Sequence, residues 1–201
     1  RTIALKGDDG GKSVIGGTES MLDIEYSTAL GANISAEFWG YKGRAPREPE
    51  NEPFLKWLTQ LASTPDADVP KVFSTSYGED ETSTSMAYAK RLNAEFIKAG
   101  ARGISLLFAS GDSGASGDHG CAGPKNDQFV AQWPAGSPYV TGVGGTMGSK
   151  EKAVPLSSGG FSYRWRRPSW QSSAVATYIQ SGKLPATGPN TTALKSGRGF
   201  P

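Results

Sequence analysis

The stretch LLFASGDSGAS, residues 106–116, decides how the rest of the chain is read. An apolar run from Leu106 to Ala109 enters a turn with glycines at 111 and 114, and Asp112 and Ser113 sit between them. A short apolar run bounded by turn residues is the pattern of a buried strand, predicted here over Gly103 to Ala109. Upstream, Thr82 to Ala99 has helical spacing that ends near Gly100, and Val72 to Ser76 reads as another strand. Strand, helix and strand in this order make a β-α-β unit, which implies a parallel sheet with a right-handed crossover. Ligands gather beyond the carboxyl ends of such strands, and the GDSGAS turn stands at one of those ends.

Further out, Tyr139 to Val143 is predicted as a strand after the Trp133-Pro134-Ala135 turn, and Gln171 to Ser181 as a helix. Glu19 to Leu30 is predicted as a helix with Thr18 as its N-cap, Leu22, Tyr26 and Ala29 on one side, and Gly31 after its end. Gly40 to Pro53 reads as a surface loop and Phe54 to Ala62 as a short helix. The fold class is α/β, and the 201 residues are read as part of one domain.

With a net charge of +2 and scattered Lys and Arg, the composition gives no footprint for nucleic acid. Arg164, Arg166 and Arg167, interleaved with aromatics, are expected on a solvated surface. No apolar run approaches the roughly 18 residues of a membrane span, so no membrane partner is expected. Arg1 opens the sequence without a methionine, an apolar leader or a cleavage site, which reads as a processed or excised piece. Asn33-Ile34-Ser35 and Asn190-Thr191-Thr192 are glycosylation acceptors in a secretory setting. Cys121 stands alone, either paired with a cysteine elsewhere or inert.

Gly-Asp-Ser-Gly invites a trypsin-like reading with Ser113 as nucleophile. That chemistry needs an independently aimed histidine, and the one histidine, His119, lies in the same predicted loop. An α/β-hydrolase elbow is broken by Ala115 at the last position of Gly-x-Ser-x-Gly. Carboxylates offer another route. Glu19 and Asp23 are one helical turn apart on one face, and two such groups can share a proton and act as a base in acid. An acidic pair at this spacing also suits a solvated helix face. Asp112, directly after the buried strand, is placed to stabilise an oxyanion if it keeps a proton to donate. Its other reading is a turn cap that accepts backbone N–H groups.

Several segments together resemble the sedolisin family of serine-carboxyl peptidases, in its tripeptidyl-peptidase branch. They are Glu19-Ser-Met-Leu-Asp23 with GANIS at 31–35, Ser76-Tyr-Gly-Glu-Asp80, LLFASGDSGA, WPAGSPYVTGVGGT at 133–146, and GGFSYRW followed by RPSWQ. The resemblance implies a subtilisin-like parallel sheet flanked by helices, incomplete in this chain. It implies Glu19 as general base, Asp23 as its orienting partner and Asp112 as the oxyanion-hole residue, with Ser113 only a turn residue. Ser76, Tyr77 and Gly78 would pair with substrate backbone, a largely sequence-blind mode. Gln132 would lie near the first specificity pocket. The family's nucleophile lies in a Ser-Gly-Thr-Ser-x-Ser segment that does not occur here. The serine is therefore expected on a missing or companion chain, as is a calcium site beyond Pro201, with no metal held by the residues of this chain. Cys121 would pair with a cysteine of that part. The implied activity is acid peptide hydrolysis on peptide or protein substrates in a lysosomal or secreted setting, releasing tripeptides from amino termini. A catalytically inactive peptide-binding relative and an endopeptidase are the alternatives.

Overall fold

The computed structural model describes residues 3–8, 17–117, 129–182, 194 and 196–201, which fall into two compact units, Arg1–Lys71 and Val72–Pro201. His119, Cys121 and Asn190 lie outside the described residues.

In the first unit, β1 (Ala4–Gly7) and β2 (Glu37–Gly40) pair in parallel, with Ala4 opposite Glu37 and Gly7 opposite Gly40. Helix α1 (Thr18–Leu30) forms the connection, as a parallel pair requires. Gly17, not Thr18, occupies the cap position, and no side chain caps this end. The helix buries no residue: Met21, Leu22, Tyr26 and Leu30 are all exposed, so the apolar side read from the sequence has no cover here. Helix α2 (Phe54–Ser63) behaves oppositely, burying Phe54, Trp57, Leu58 and Leu61 at the spacing of one helical face.

The second unit is organised by a three-stranded parallel sheet in the order β3 (Val72–Thr75), β5 (Ser105–Ala109), β7 (Thr141–Val143), with Thr75 opposite Phe108 and Ala109 opposite Val143. Between the first two, β4 (Glu79–Asp80) and helix α3 (Met86–Ala101) complete the expected crossover. The helix starts later than its sequence pattern because Thr82 to Ser85 is a run of small hydroxyl residues that compete for backbone partners. Ser83 turns back onto the Asp80 carbonyl, and the Ser85 hydroxyl accepts from Tyr88 N as the N-cap. Strand β5 likewise starts at Ser105, because Gly103 takes a φ of 72° in a turn closed by its N–H on the Gly100 carbonyl.

Tyr88, Ala89, Leu92, Phe96 and Ala99 make the buried face of α3. Phe96 meets Phe108 of β5 at 5.8 Å between ring centroids and Trp133 at 6.1 Å, and Trp133 continues to Trp165 at 5.6 Å. Truncating one such ring typically removes about 3–5 kcal/mol, so this aromatic chain fixes the sheet and its crossover helix as one body. Strand β6 (Gln132–Trp133) pairs antiparallel with β4, and β8 (Thr146–Met147) with β9 (Lys152–Ala153). A longer antiparallel pair joins β10 (Gly160–Arg166) to β11 (Gly197–Phe200). Between them a single turn at Ser169–Gln171 leads into α4 (Ser172–Gln180), inside the predicted span.

One expectation about charge changes here. Arg164 and Arg167 are half-buried: Arg164 donates to the Thr84 carbonyl, while Arg167 donates to the Gly197 carbonyl and lies 5.7 Å above the Phe161 ring. Only Arg166 of the three is exposed; the β10–β11 register is irregular between Phe161 and Arg166, so simple strand alternation does not hold there. The acidic run Glu79-Asp80-Glu81 is also buried. Thr84 donates to Glu79, Gln132 donates to Asp80, and the Ser162 hydroxyl and Tyr163 N–H donate to Glu81.

Burial raises the Glu81 carboxyl above its ordinary value of 4.5, against the hydrogen bonds from Ser162 and Tyr163 and the nearby Arg164 charge that lower it. A carboxyl with a raised folded-state value stabilises the fold fully below its unfolded value, and that contribution is lost as pH rises through the folded value. Thermal melts of wild type and Glu81→Gln across acidic to neutral pH should show wild-type Tm falling relative to the variant as pH climbs above about 4.5. Parallel curves would contradict this.

Among the described residues no helix is long and apolar enough to cross a membrane.

Candidate functional site

Because β3, β5 and β7 are parallel, their carboxyl ends open on one edge of the sheet. Ser76, Tyr77 and Gly78 leave β3 there, Ser110 to Ser113 leave β5, and Gly144 and Gly145 leave β7. The structure therefore places Ser76 to Gly78, expected from sequence to pair with substrate, and the turn bearing Asp112 at the same edge of the sheet.

That turn is held from below and from one side. Ser110 N–H donates to the Val143 carbonyl at 2.8 Å, extending the β5–β7 ladder by one residue. The segment before β10 then clamps the turn. Ser158 N–H donates to the Gly111 carbonyl at 2.8 Å, the Ser113 N–H donates to Ser158 Oγ at 3.1 Å, and Gly114 N–H donates to the Leu156 carbonyl at 2.8 Å. Ser157 adds a hydroxyl contact to Ser110 at 3.3 Å and accepts from Gly145 N–H. Gly111 is required at its place: φ is 109°, and a Cβ there would lie 2.8 Å from Ser158 Oγ.

On this clamped turn the Asp112 side chain is exposed and accepts no hydrogen bond among the described residues. An aspartate that capped its own turn would take backbone N–H groups, and here those groups go to Ser158 and Leu156 instead. Protonated, such a carboxyl has one O–H to donate into the space above the sheet edge.

Gln132 lies beneath the same two turns. It is 1% exposed, and its Nε2 donates to Asp80 Oδ1 at 2.6 Å. Its Oε1 is buried without a partner in the described structure, 3.5 Å from where a side chain at Gly78 would begin. Its Cγ lies 3.2 Å from the corresponding point at Gly111. Gln132 thus supports both segments from underneath.

Glu19 and Asp23 belong to the first unit, one turn apart on α1, with Glu19 exposed and Asp23 half-buried. Glu19 in the first helical turn is favourably placed toward the positive end of the helix dipole. Asn33 is exposed in the turn after this helix, with a φ of 68°, so its amide is accessible for glycosylation.

No group of three His, Cys, Asp or Glu side chains converges as a metal site among the described residues. Glu79, Asp80 and Glu81 are consecutive, but each carboxylate takes a different donor from a different element, so they do not form a calcium cage.

Sequence reasoning missed Ser158 and Glu81. The signal for Ser158 was slight, a Ser-Ser-Gly-Gly run at 157–160 where small side chains let two backbones approach. Glu81 carried none, since its partners lie more than eighty residues away.

No family model matches the chain. It is 44% identical to tripeptidyl-peptidase 1 of Canis lupus familiaris over 192 residues, covering 92% of this chain and 32% of that protein. It is 43% identical to tripeptidyl-peptidase 1 of Homo sapiens, with the same coverage. The chain thus spans about a third of the length of the curated relatives it matches. In structure it matches Pseudomonas sedolisin, a serine-carboxyl proteinase complexed with two molecules of pseudo-iodotyrostatin. The TM-score is 0.61 at 20% identity, over 92% of this chain and 54% of that one. The parallel sheet flanked by helices is that subtilisin-like sedolisin fold over part of its extent.

Proposed function

From the homology of this chain to the sedolisin-family tripeptidyl-peptidase 1 over 92% of its own length, we propose that it supplies the carboxyl groups of an acid-active serine-carboxyl peptidase. The observation that carries this reading is Asp112: an exposed carboxyl without a hydrogen-bond partner among the described residues, on a rigidly clamped turn at the carboxyl edge of a parallel sheet.

In the proposed reaction a serine hydroxyl, borne by another segment or a companion chain, attacks the scissile carbonyl. Glu19 accepts the hydroxyl proton and Asp23 orients Glu19. The carbonyl oxygen becomes an oxyanion, and protonated Asp112 donates a hydrogen bond to it. Collapse of the tetrahedral species breaks the C–N bond, and the leaving amine takes the proton from Glu19. Water then hydrolyses the acyl-enzyme by the same path in reverse. Ser76, Tyr77 and Gly78 offer backbone to an extended substrate, and Gln132, buried beneath them, shapes the floor of the first specificity pocket. The acidic compartment, the calcium site on another segment and the pairing of Cys121 with a cysteine of that segment belong to the same proposal. A lysosomal or secreted location agrees with the exposed Asn33 acceptor.

The test is to coproduce this chain with the serine-bearing companion and assay a hexapeptide with a free or an acetylated amino terminus, from acidic to neutral pH. Tripeptide release from the free peptide alone, fastest in acid, is the expected result. Internal cleavage of the acetylated peptide assigns an endopeptidase, and binding without hydrolysis assigns an inactive relative.

A further inference from the structure

The Asp112 side chain accepts no hydrogen bond among the described residues, so the direction in which its carboxyl leaves the chain is set by the backbone on either side. That backbone is poorly suited to the task by itself. Gly111 and Gly114 have φ of 109° and 58°, and glycines pass readily between such conformations and others. A fixed carboxyl direction therefore needs a brace from outside the turn.

One residue braces both sides. The Ser158 N–H donates to the Gly111 carbonyl at 2.8 Å, and Ser158 Oγ accepts from the Ser113 N–H at 3.1 Å. The first bond holds the peptide plane that enters Asp112, and the second holds the plane that leaves it. Because each peptide unit is planar, only φ and ψ of Asp112 lie between those two planes. With both planes held, both angles are fixed, and the Cα–Cβ direction with them. Ser158 is itself secured: it is 1% exposed, the adjacent Ser157 hydroxyl accepts from Gly145 N–H at 2.9 Å, and the Leu156 carbonyl accepts from Gly114 N–H at 2.8 Å. The contact also needs a glycine at 111, where a Cβ would fall 2.8 Å from Ser158 Oγ and 3.0 Å from Ser158 Cβ.

We propose that Ser158 is the positioning residue for Asp112, aiming its carboxyl at the carbonyl oxygen that becomes the oxyanion. The proposal rests on the peptidase reading for the identity of that oxygen. Buried as it is, Ser158 is not offered to substrate and acts through Asp112. Removing its hydroxyl releases the outgoing plane, so that φ and ψ of Asp112 turn together and the carboxyl swings off its aim. The incoming plane stays held, because the N–H of residue 158 is there whatever its side chain. A misplacement of about 1 Å in an oriented site costs on the order of 10²-fold in rate.

Kinetics of the assembled peptidase and backbone amide relaxation test this together. Ser158→Ala should lower kcat by about 10–10²-fold with KM within about twofold of wild type. In an Asp112→Ala background the cost of the same substitution should shrink to within about twofold, since no carboxyl is left to aim. The wild-type Ser113 amide should have an order parameter of about 0.85, and Ser158→Ala should bring it below about 0.6 while the Asp112 amide keeps its wild-type value. Wild-type kcat in Ser158→Ala overturns the proposal. So does a further large loss in the Asp112→Ala background, which would give Ser158 a role apart from that carboxyl. A wild-type Ser113 amide already below about 0.6 overturns it without any variant having to fold. A wild-type assembly that hydrolyses no peptide instead removes the peptidase reading. A Ser113 amide loosened by Ser158→Ala then still upholds the brace on Asp112, and an unchanged one overturns it.

Discussion

Asp112→Ala is expected to lower kcat/KM of the assembled peptidase by about 10²–10³-fold, through kcat and with KM little changed, because an oxyanion donor acts in the transition state and not on bound substrate. The turn itself should survive the substitution. Its hydrogen bonds run through the backbone of Gly111, Ser113 and Gly114 to Ser158 and Leu156, and none uses the Asp112 side chain. Melting temperature should therefore stay near wild type, which separates lost chemistry from lost structure. Asp112→Asn sharpens the test, since an amide donates a hydrogen bond at any pH while a carboxyl donates only when protonated. The Asn variant should keep more activity than Ala, and its activity should extend further toward neutral pH than wild type. Ser113→Ala should remain within a few-fold of wild type. If Ser113→Ala abolishes turnover and Asp112→Ala spares it, the GDSG run is a serine nucleophile after all and the carboxyl mechanism is wrong.

The sheet edge was legible because local signals agreed along that part of the chain. The apolar run before Gly111, the long helical pattern ahead of it and the Val72 strand all pointed to one parallel unit, and β3, α3 and β5 follow it within a few residues. The mismatches at their ends have a common cause. Hydroxyl-rich and glycine-containing stretches such as Thr82 to Ser85 and Gly103 are compatible with either element or turn, and hydrogen bonds decide between them. What sequence could not give is the set of contacts between distant segments. Nothing in the local pattern of Glu79 to Glu81 shows that Thr84, Gln132 and Ser162 close over them. Arg198 gave no sign of burial, since it stands between Gly197 and Gly199 and its cover depends on the pairing of β11 with β10. Helix α1 shows the opposite case. Its apolar positions were read correctly as lying on one side, yet periodicity alone does not say what covers that side, and Leu22, Tyr26 and Leu30 are exposed.

Glu19→Gln should reduce kcat of the assembled peptidase by about 10²–10⁴-fold, the usual contribution of a positioned general base. Glutamine preserves size and helix preference but cannot accept a proton, so KM and the melting temperature should change little. Because Glu19 lies exposed on α1 with no packing role, a structural explanation for a large loss would be hard to sustain. The pH profile separates the two carboxyl roles. Wild-type activity requires an ionised base and a protonated donor together, which gives a bell with an acid limb from the base and an alkaline limb from the donor. Residual activity of Glu19→Gln should lose the acid limb and keep the alkaline one, whereas Asp112→Asn should keep the acid limb and relax the alkaline one. Asp23→Asn, which disturbs orientation and leaves the base in place, should fall between wild type and Glu19→Gln. If all three variants shift the same limb, Glu19 and Asp112 do not divide the proton chemistry as base and donor. The assignment of Glu19 would then have to be abandoned even if the peptidase itself is active.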